Sequence, residues 1–161
     1  MECNTIRFTV AEFCGKRGAF DVSAEFQRQG NAWSREKKQL FLDTLFSGYD
    51  ASKFYLQVIE ANSGTRDWTV VDGKQRIQCM WDFIDGKVSL GSGFNWKPTG
   101  NYERRQKPYP KAGNKFSDLS EYWQAQFLGV NLDVVTIRGA EEADIGAMFM
   151  RLNNGEPVMR L

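Results

Sequence analysis

The amino-acid sequence predicts one α+β domain, a mixed sheet with flanking helices. Short apolar or alternating segments typical of strands interleave with segments whose apolar residues recur every three or four positions, as in amphipathic helices. One pair of predicted strands is joined by a short polar loop that contains Asn-Ser-Gly, which indicates a hairpin. The chain has 161 residues, including twelve Phe and five Trp, which is enough for one domain with a well-supplied core.

The N-terminal part of the chain predicts two strands and a helix. Apolar and polar residues alternate over 6–10, which predicts a half-buried strand, and a second short strand is expected at 20–22. A helix is expected over 35–46, because Ser34 is a suitable N-cap and Gly48 is suited to end it.

The central part predicts the hairpin and a second helix. Strands are expected over 54–60 and 68–71, with 61–67 as the loop between them. An amphipathic helix follows and ends at Gly86. Its predicted buried face comprises Ile77, Met80, Trp81 and Ile84.

The C-terminal part predicts a helix, a strand and a last helix. Ser117 or Asp118 is expected to cap a helix that runs to Phe127. A strand is expected over 130–137, and a helix over 141–152 whose first turn is acidic, as the helix dipole favours. Gly155 and Pro157 are expected to end that helix. The predicted buried face of the last helix comprises Ile145, Met148, Phe149 and Leu152.

Composition excludes several classes of protein. A net charge of +1 implies no strong general attraction to nucleic acid or membranes. No apolar run approaches eighteen residues, and residues 1–10 do not resemble a signal peptide. Cys3, Cys14 and Cys79 are scattered and odd in number, which fits a reducing cytoplasm better than a disulfide framework or a zinc site. We therefore expect a cytoplasmic protein.

The chain contains no histidine. This excludes Ser-His-Asp and Cys-His nucleophile systems, His-ligated zinc and any His-metal nuclease within these residues. Catalysis must use carboxylates, Lys, Arg, amides or a metal on oxygen ligands.

The segment after the strand at 68–71 predicts an anion site. Asp72 and Gly73 form a turn, and a helix begins directly after them. Unpaired N–H groups and the positive end of the helix dipole favour anions there. Lys74 and Arg76 lie in the first helical turn, where cations oppose the dipole unless an anion binds. The alternative is an ordinary capping turn with two solvated cations.

The segment Val71-Asp72-Gly73-Lys74-Gln75-Arg76 resembles the Asp-Gly-Gln-Gln-Arg signature of the GmrSD-type restriction enzyme N-terminal domain, a distant relative of the ParB and sulfiredoxin folds. Lys74 departs from the family, which usually has Gln there. Three further segments match in the same order, and together they extend the resemblance over about residues 20 to 161. They are Phe26-Gln27-Arg28 followed by Trp33, the helix end 42–48, and the late helix segment 148–155.

The resemblance implies a ParB/sulfiredoxin-like sheet and a nucleoside-triphosphate site that hydrolyses its ligand. Asp72 would orient the attacking water or hold Mg²⁺, as phosphoryl chemistry requires. The implied catalytic residues are Asp72, Gln75 and Arg76. The implied nucleotide-binding residues are Gln27, Arg28, Trp33, Gly73, Lys74, Arg151 and Asn153. Among them, Arg28, Lys74, Arg76 and Arg151 would place positive charge on phosphates, and Gln27, Gln75 and Asn153 would give neutral hydrogen bonds.

In the family, this nucleotide activity serves defence against phage DNA, often modified DNA. Cutting belongs to a C-terminal HNH-type nuclease domain, which this chain lacks, so the chain alone is expected to leave DNA intact. The matched segments continue to the end of the sequence, and we expect the N-terminal part of a longer or split protein. Two alternatives are a non-hydrolysing nucleotide sensor or DNA-binding adaptor, and an interaction module with a degenerate site. Lys74 is the feature that would signal either.

Residues 87–115 form a Gly- and Pro-rich loop in which seven cations accompany a single acid, Glu103. Aromatic residues are interleaved with the cations, a combination that suits phosphate contacts and base stacking. The candidates for DNA contact are Lys97, Arg104, Arg105, Lys107 and Lys111. The alternative is a solvated insertion whose aromatic residues pack back on the domain.

Overall fold

One mixed five-stranded sheet organises the chain. The computed structural model describes residues 1–23, 32–59, 67–98 and 106–153. The strands are β1 (Glu2–Thr9), β2 (Phe20–Asp21), β3 (Phe54–Val58), β4 (Trp68–Asp72) and β5 (Asn131–Arg138). Their order in the sheet is β1-β5-β3-β4-β2. β1 is antiparallel to β5 and β3 to β4, whereas β3 runs parallel to β5 and β2 to β4.

Five α-helices and two short 3₁₀ turns are described with the sheet, which confirms the α+β class. The helices are α1 (Val10–Gly15), α2 (Arg35–Ser47), α3 (Lys74–Ile84), α4 (Glu121–Leu128) and α5 (Glu142–Asn153); the turns are Arg17–Ala19 and Phe116–Asp118. The predicted ends of α2 are confirmed. Ser34 accepts from Lys37 N–H, and Gly48 ends the helix with φ +73°.

The sheet separates two apolar clusters. On one face, Phe54, Leu56 and Val70 pack with α1, α2, α3 and α4 into the main core. On the other face, Val71 and Ile137 pack with α5 into a smaller cluster. Ile145 and Met148 of α5 are buried, and Phe149 and Leu152 pack against them partly buried, as their helical spacing predicts. Successive residues of a strand point to opposite faces, so one strand supplies both clusters.

The chain leaves β1 one residue earlier than predicted and forms α1, a helix that we did not predict. Val10 is the first residue of α1, so it does not extend the strand. The Thr9 hydroxyl accepts from Glu12 N–H, and the Glu12 carboxylate accepts from Thr9 N–H, both at 3.2 Å. This is a capping box, and its Thr-x-x-Glu spacing is visible in the sequence.

The predicted burial of alternate residues over 6–10 is confirmed at Phe8 and Val10 and is wrong at Ile6. Ile6 is 38% exposed, and Phe8 is the buried residue of this strand. β1 lies at an edge of the sheet and pairs with β5 alone among the described strands, so its outer residues have no neighbouring strand there.

The predicted caps of α4 are also wrong. Ser117 and Asp118 lie in a 3₁₀ turn, and Ser120 is the N-cap, accepting from Trp123 N–H at 3.4 Å. The Asp118 carboxylate instead accepts from Lys115 N–H at 2.8 Å, because this local turn competes for it.

The basic loop packs back on the domain in its described parts, 87–98 and 106–115. Phe94 is buried, and Trp96 and Tyr109 are partly buried against the main core, which confirms that alternative for these residues. The 61–66 part of the hairpin loop and the predicted end of α5 at Gly155 and Pro157 lie outside the described residues. Within the described ranges, no helix has the length and apolar character to cross a membrane.

Candidate functional site

The Asp72-Gly73 turn connects β4 to α3 and requires glycine. Gly73 is the N-cap of α3 with φ +117°, a backbone conformation that L side chains rarely adopt. A Cβ atom at this position would lie 2.5 Å from Cδ2 of Phe54. The alternative of an ordinary capping turn is wrong for the side chain of Asp72: Asp72 is the last residue of β4, and no side chain of the described residues caps α3 through a hydrogen bond.

Arg76 is anchored beside Asp72 by backbone and carboxylate oxygens. Its guanidinium donates to the carbonyls of Ala51 (2.9 Å) and Lys53 (3.1 Å). Nη2 also donates to Oδ2 of Asp72 at 3.1 Å. The guanidinium carbon lies 4.3 Å from the centre of the Phe54 ring, a cation–π contact. The Arg76 side chain is only 11% exposed, so α3, β3 and the segment before β3 are tied together at this point.

Burial is the main electrostatic influence on this pair. Burial raises the pKa of Asp72, while Arg76 and the Gly73 N–H oppose that rise by favouring the carboxylate. Burial also lowers the pKa of Arg76, against the attraction of Asp72. The pKa of Tyr55 is raised by burial and by the nearby Asp72 charge. A carboxylate with a raised pKa in a cleft is a candidate for proton transfer or for positioning water.

Asp72 and Arg76 line an open cleft of about 640 Å³. The cleft lies between the end of α2, the segment before β3, the ends of β3 and β4, and the last turn of α5. Its other lining residues are Trp33, Phe41, Thr44, Asp50, Ala51, Ser52, Lys53, Tyr55 and Leu152. Ser52 has φ +62°, and its N–H donates to Asp50 at 2.9 Å. A left-handed serine is strained, and such strain often occurs at ligand sites.

Gln75 supports the wall of the cleft from behind. Its Oε1 accepts from the backbone N–H of Trp33 at 3.1 Å. The Trp33 ring packs edge-on against Phe41 with centroids 5.6 Å apart, and Lys37 Nζ lies 5.3 Å from the Trp33 ring centre. The conformation of Trp33 is therefore held by α2 and α3 together.

The structure brings some of the predicted site residues together and leaves others apart. Trp33, Asp72 and Arg76 line the cleft. Lys74, first residue of α3, and Arg151 are half buried and do not line it. Asn153 is exposed, and its Nδ2 donates to the Phe149 carbonyl of its own helix at 2.9 Å.

The remaining predicted residues belong to two segments. Gln27 and Arg28 lie outside the described residues, as do Arg104 and Arg105. Lys97, Lys107 and Lys111 are all exposed.

Sequence reasoning missed Tyr55, Ser52 and Lys53 as residues of the cleft. Tyr55 pairs with Asp72 across the β3–β4 hairpin, with a register irregularity directly after it. A regular continuation of the hairpin register would pair Tyr55 with Val71, so the irregularity, for which the sequence gives no signal, is what places Tyr55 beside Asp72. No local pattern indicates that Ser52 and Lys53 border the same cleft.

The described residues hold no group of three or more His, Cys, Asp or Glu side chains suited to a metal ion. Two carboxylates, Asp50 and Asp72, line the cleft. Mg²⁺ commonly binds one or two carboxylates and completes its octahedron with water and substrate phosphates. The residues therefore fit a shared Mg²⁺ better than an all-protein metal cage.

The fold and this site define an α+β domain with a candidate ligand cleft where a strand ends and a helix begins. The GmrSD restriction endonuclease, N-terminal domain, family matches residues 10–157. The chain belongs to this family, which places it in a restriction system that acts in defence against phage. No curated protein and no solved structure matches the chain.

Proposed function

We propose that this domain binds a nucleoside triphosphate in the Asp72 cleft and hydrolyses it within a restriction system. The observation that carries the proposal is the position of Asp72, which lines a cleft beside the start of α3 and is held there by Arg76. The cleft volume of about 640 Å³ lies within the usual range of small-molecule sites, roughly 300–1,000 Å³. Family membership supports the restriction context.

Each part of the cleft suits one part of such a ligand. The N–H groups at the start of α3, next to Asp72 in the chain, favour phosphate oxygens, and Lys74, which does not itself line the cleft, adds positive charge at that helix end. Trp33 and Tyr55 offer aromatic surface for a base. The Asp72 carboxylate would orient the attacking water. Mg²⁺, when bound, would supply charge neutralisation between Asp72 and the phosphates.

In this proposal Arg76 is a positioning residue. The resemblance implies that it contacts phosphate, but its guanidinium already donates to two carbonyls and to Asp72. Its main effect would be to hold Asp72 in one orientation and to fix the 51–53 segment at the lip of the cleft. Arg76→Lys retains the positive charge but not the planar set of N–H donors, so it would disturb nucleotide hydrolysis more than nucleotide binding.

The test compares Asp72→Asn with Asp85→Asn in calorimetry and phosphate release, using each of the four ribonucleoside triphosphates with Mg²⁺. Asp85 pairs with Arg17 at the other end of α3, so its variant also removes a carboxylate from an arginine pair. We expect Asp72→Asn to lower turnover by about 10²-fold or more, with binding less affected, and Asp85→Asn to match the wild type. Absence of nucleotide binding by the wild type, or normal turnover by a folded Asp72→Asn, would refute the proposal.

A non-hydrolysing nucleotide sensor is the second candidate, because Lys74 departs from the family signature within the first turn of α3. In that case the wild type would bind nucleotide without turnover, and Lys74→Gln would gain hydrolysis. In either case we propose that DNA cutting comes from an HNH-type nuclease domain or partner chain.

A further inference from the structure

A second cavity, here called the aromatic pocket, lies away from the Asp72 cleft and shares no lining residue with it. Its volume is about 390 Å³, and it lies between the end of α2, α4 and the segment around Trp96. The residues that matter to its chemistry are Phe46, Trp96, Pro98, Tyr122, Trp123 and Gln126.

Five aromatic rings line the aromatic pocket, and three of them, Trp96, Tyr122 and Trp123, meet at nearly right angles. Trp123 is 4% exposed, and its indole N–H donates to the Gln106 carbonyl at 2.7 Å, so it forms a rigid floor. Trp96 and Tyr122 both stand edge-on to Trp123, with centroids 5.5 Å and 4.8 Å away. Both of these rings line the pocket and are only partly buried. The amide of Gln126 is exposed at the rim and has both a donor and an acceptor.

Two exposed lysines, Lys97 and Lys107, belong to the chain segments next to the pocket. Lys97 is exposed between Trp96 and Pro98. Lys107 Nζ lies 5.9 Å from the Tyr109 ring centre, and that ring lies 6.2 Å from Trp123. The described segments 87–98 and 106–115 contain five lysines and no Asp or Glu. Glu121, exposed at the start of α4, is the acid next to the pocket in sequence.

We propose that the aromatic pocket binds a base of single-stranded DNA, with the adjoining phosphates on Lys97 and Lys107. Flat aromatic faces bordered by cations are what single-strand binding uses, stacking for the base and charge for the backbone. An uncharged apolar peptide would leave the lysines and the polar rim without partners. A base within a duplex is stacked on its neighbours and does not offer its faces. The proposal is independent of nucleotide binding in the Asp72 cleft.

Stacking is tested with a fluorescein-labelled single-stranded 12-mer and an abasic 12-mer of the same charge, by anisotropy. We expect the DNA to bind more tightly than the abasic strand, and Trp96→Ala and Tyr122→Ala each to weaken DNA binding by about fivefold or more. Neither variant should change binding of the abasic strand. Tyr49→Ala is the matched control, because Tyr49 is 72% exposed and lies outside the aromatic pocket. Tyr122→Phe keeps the ring and should bind as the wild type does.

The phosphate contacts are tested by the salt dependence of binding. Lys97→Ala and Lys107→Ala should each reduce the slope of log K against log salt by about 0.7, the value for one single-strand phosphate contact. Lys16→Ala, at an exposed lysine that does not line the pocket, should leave the slope unchanged.

Three results would overturn the proposal. One is equal affinity for the DNA and abasic strands. Another is wild-type DNA affinity in a Tyr122→Ala or Trp96→Ala variant whose melting temperature shows that it is folded. The third is a dimer in sedimentation that Tyr122→Ala dissociates, because a second copy of the chain would then occupy the pocket.

Discussion

Replacing Gly73 by alanine tests whether the site depends on the geometry of its turn. The substitution places a Cβ at φ +117°, and a left-handed backbone costs roughly 1–2 kcal/mol for an L residue. The same Cβ would lie 2.5 Å from Cδ2 of Phe54, a fully buried ring, and such overpacking typically costs about 1–3 kcal/mol. We therefore expect Gly73→Ala to lower the free energy of unfolding by roughly 2–5 kcal/mol.

Gly86→Ala is the matched control. Gly86 has φ +78° at the other end of the same helix, but a Cβ added there would meet no described atom within 4 Å. Gly86→Ala should lower the free energy of unfolding only by the cost of the left-handed backbone, about 1–2 kcal/mol, as measured by urea unfolding followed by fluorescence. The difference between the two variants contains the overlap with Phe54 together with the greater backbone strain of an L residue at φ +117° than at φ +78°. A Gly73→Ala variant that loses no more than Gly86→Ala would refute the reasoning.

The overlap also has a consequence for the site. The Phe54 ring that must move lies against the Arg76 guanidinium, at 4.3 Å. Combining Gly73→Ala with Phe54→Leu should recover part of the lost stability, because the smaller side chain yields space. Strictly additive losses in this double-mutant cycle would show that the ring is not the obstacle.

Four further predictions concern charge. If ionised Asp72 orients the attacking water, hydrolysis should proceed above the pKa of Asp72 and be lost as the pH falls through that pKa. Because burial raises the pKa of Asp72, the loss of activity in acid should occur above pH 3.8, the ordinary pKa of the group. The same raised pKa means that the folded state binds this proton more tightly than the unfolded state does. Wild-type stability relative to Asp72→Asn should therefore fall as pH rises from 3.8 through the raised value, and a flat difference in denaturant titrations would contradict this. Lys38→Met should cost about 1–3 kcal/mol, because it leaves Asp82, 10% exposed, without its 2.8 Å partner. Arg7→Met, in a pair whose side chains are 72% and 50% exposed, should change unfolding by less than about 1 kcal/mol.

The sequence by itself determined the parts of this protein that depend on neighbouring residues. The ends of α2 follow from Ser34 and Gly48, and the strand–turn–helix at Asp72-Gly73 follows from a β-branched run, a glycine and a helical repeat. Capping, turn conformation and periodic burial act over a few residues, so a short window of sequence contains their cause. The family signature lies within these same short windows.

A short window of sequence does not show whether a strand lies at the edge of the sheet or which distant residues it contacts. The alternation in β1 predicts a buried face, but only the strand order shows that Ile6 has a neighbouring strand on one side, β5, and none on the other among the described residues. The sequence does not indicate whether the aromatic residues of the basic loop are exposed to solvent or packed in the core. The tertiary packing buries Phe94.

The candidate site itself was only half predictable for the same reason. Asp72 and Arg76 are four residues apart, and their pairing follows from the turn that joins them. The acceptors that immobilise Arg76 lie 23 and 25 residues away, and the contact between Gln75 and Trp33 spans 42 residues. Those contacts exist because the sheet order and the packing of α2 on α3 bring distant backbone atoms within hydrogen-bond reach. Tertiary structure therefore decided which side chains share the cleft, and it converted Arg76 from a solvated cation at a helix start into the buried anchor of Asp72.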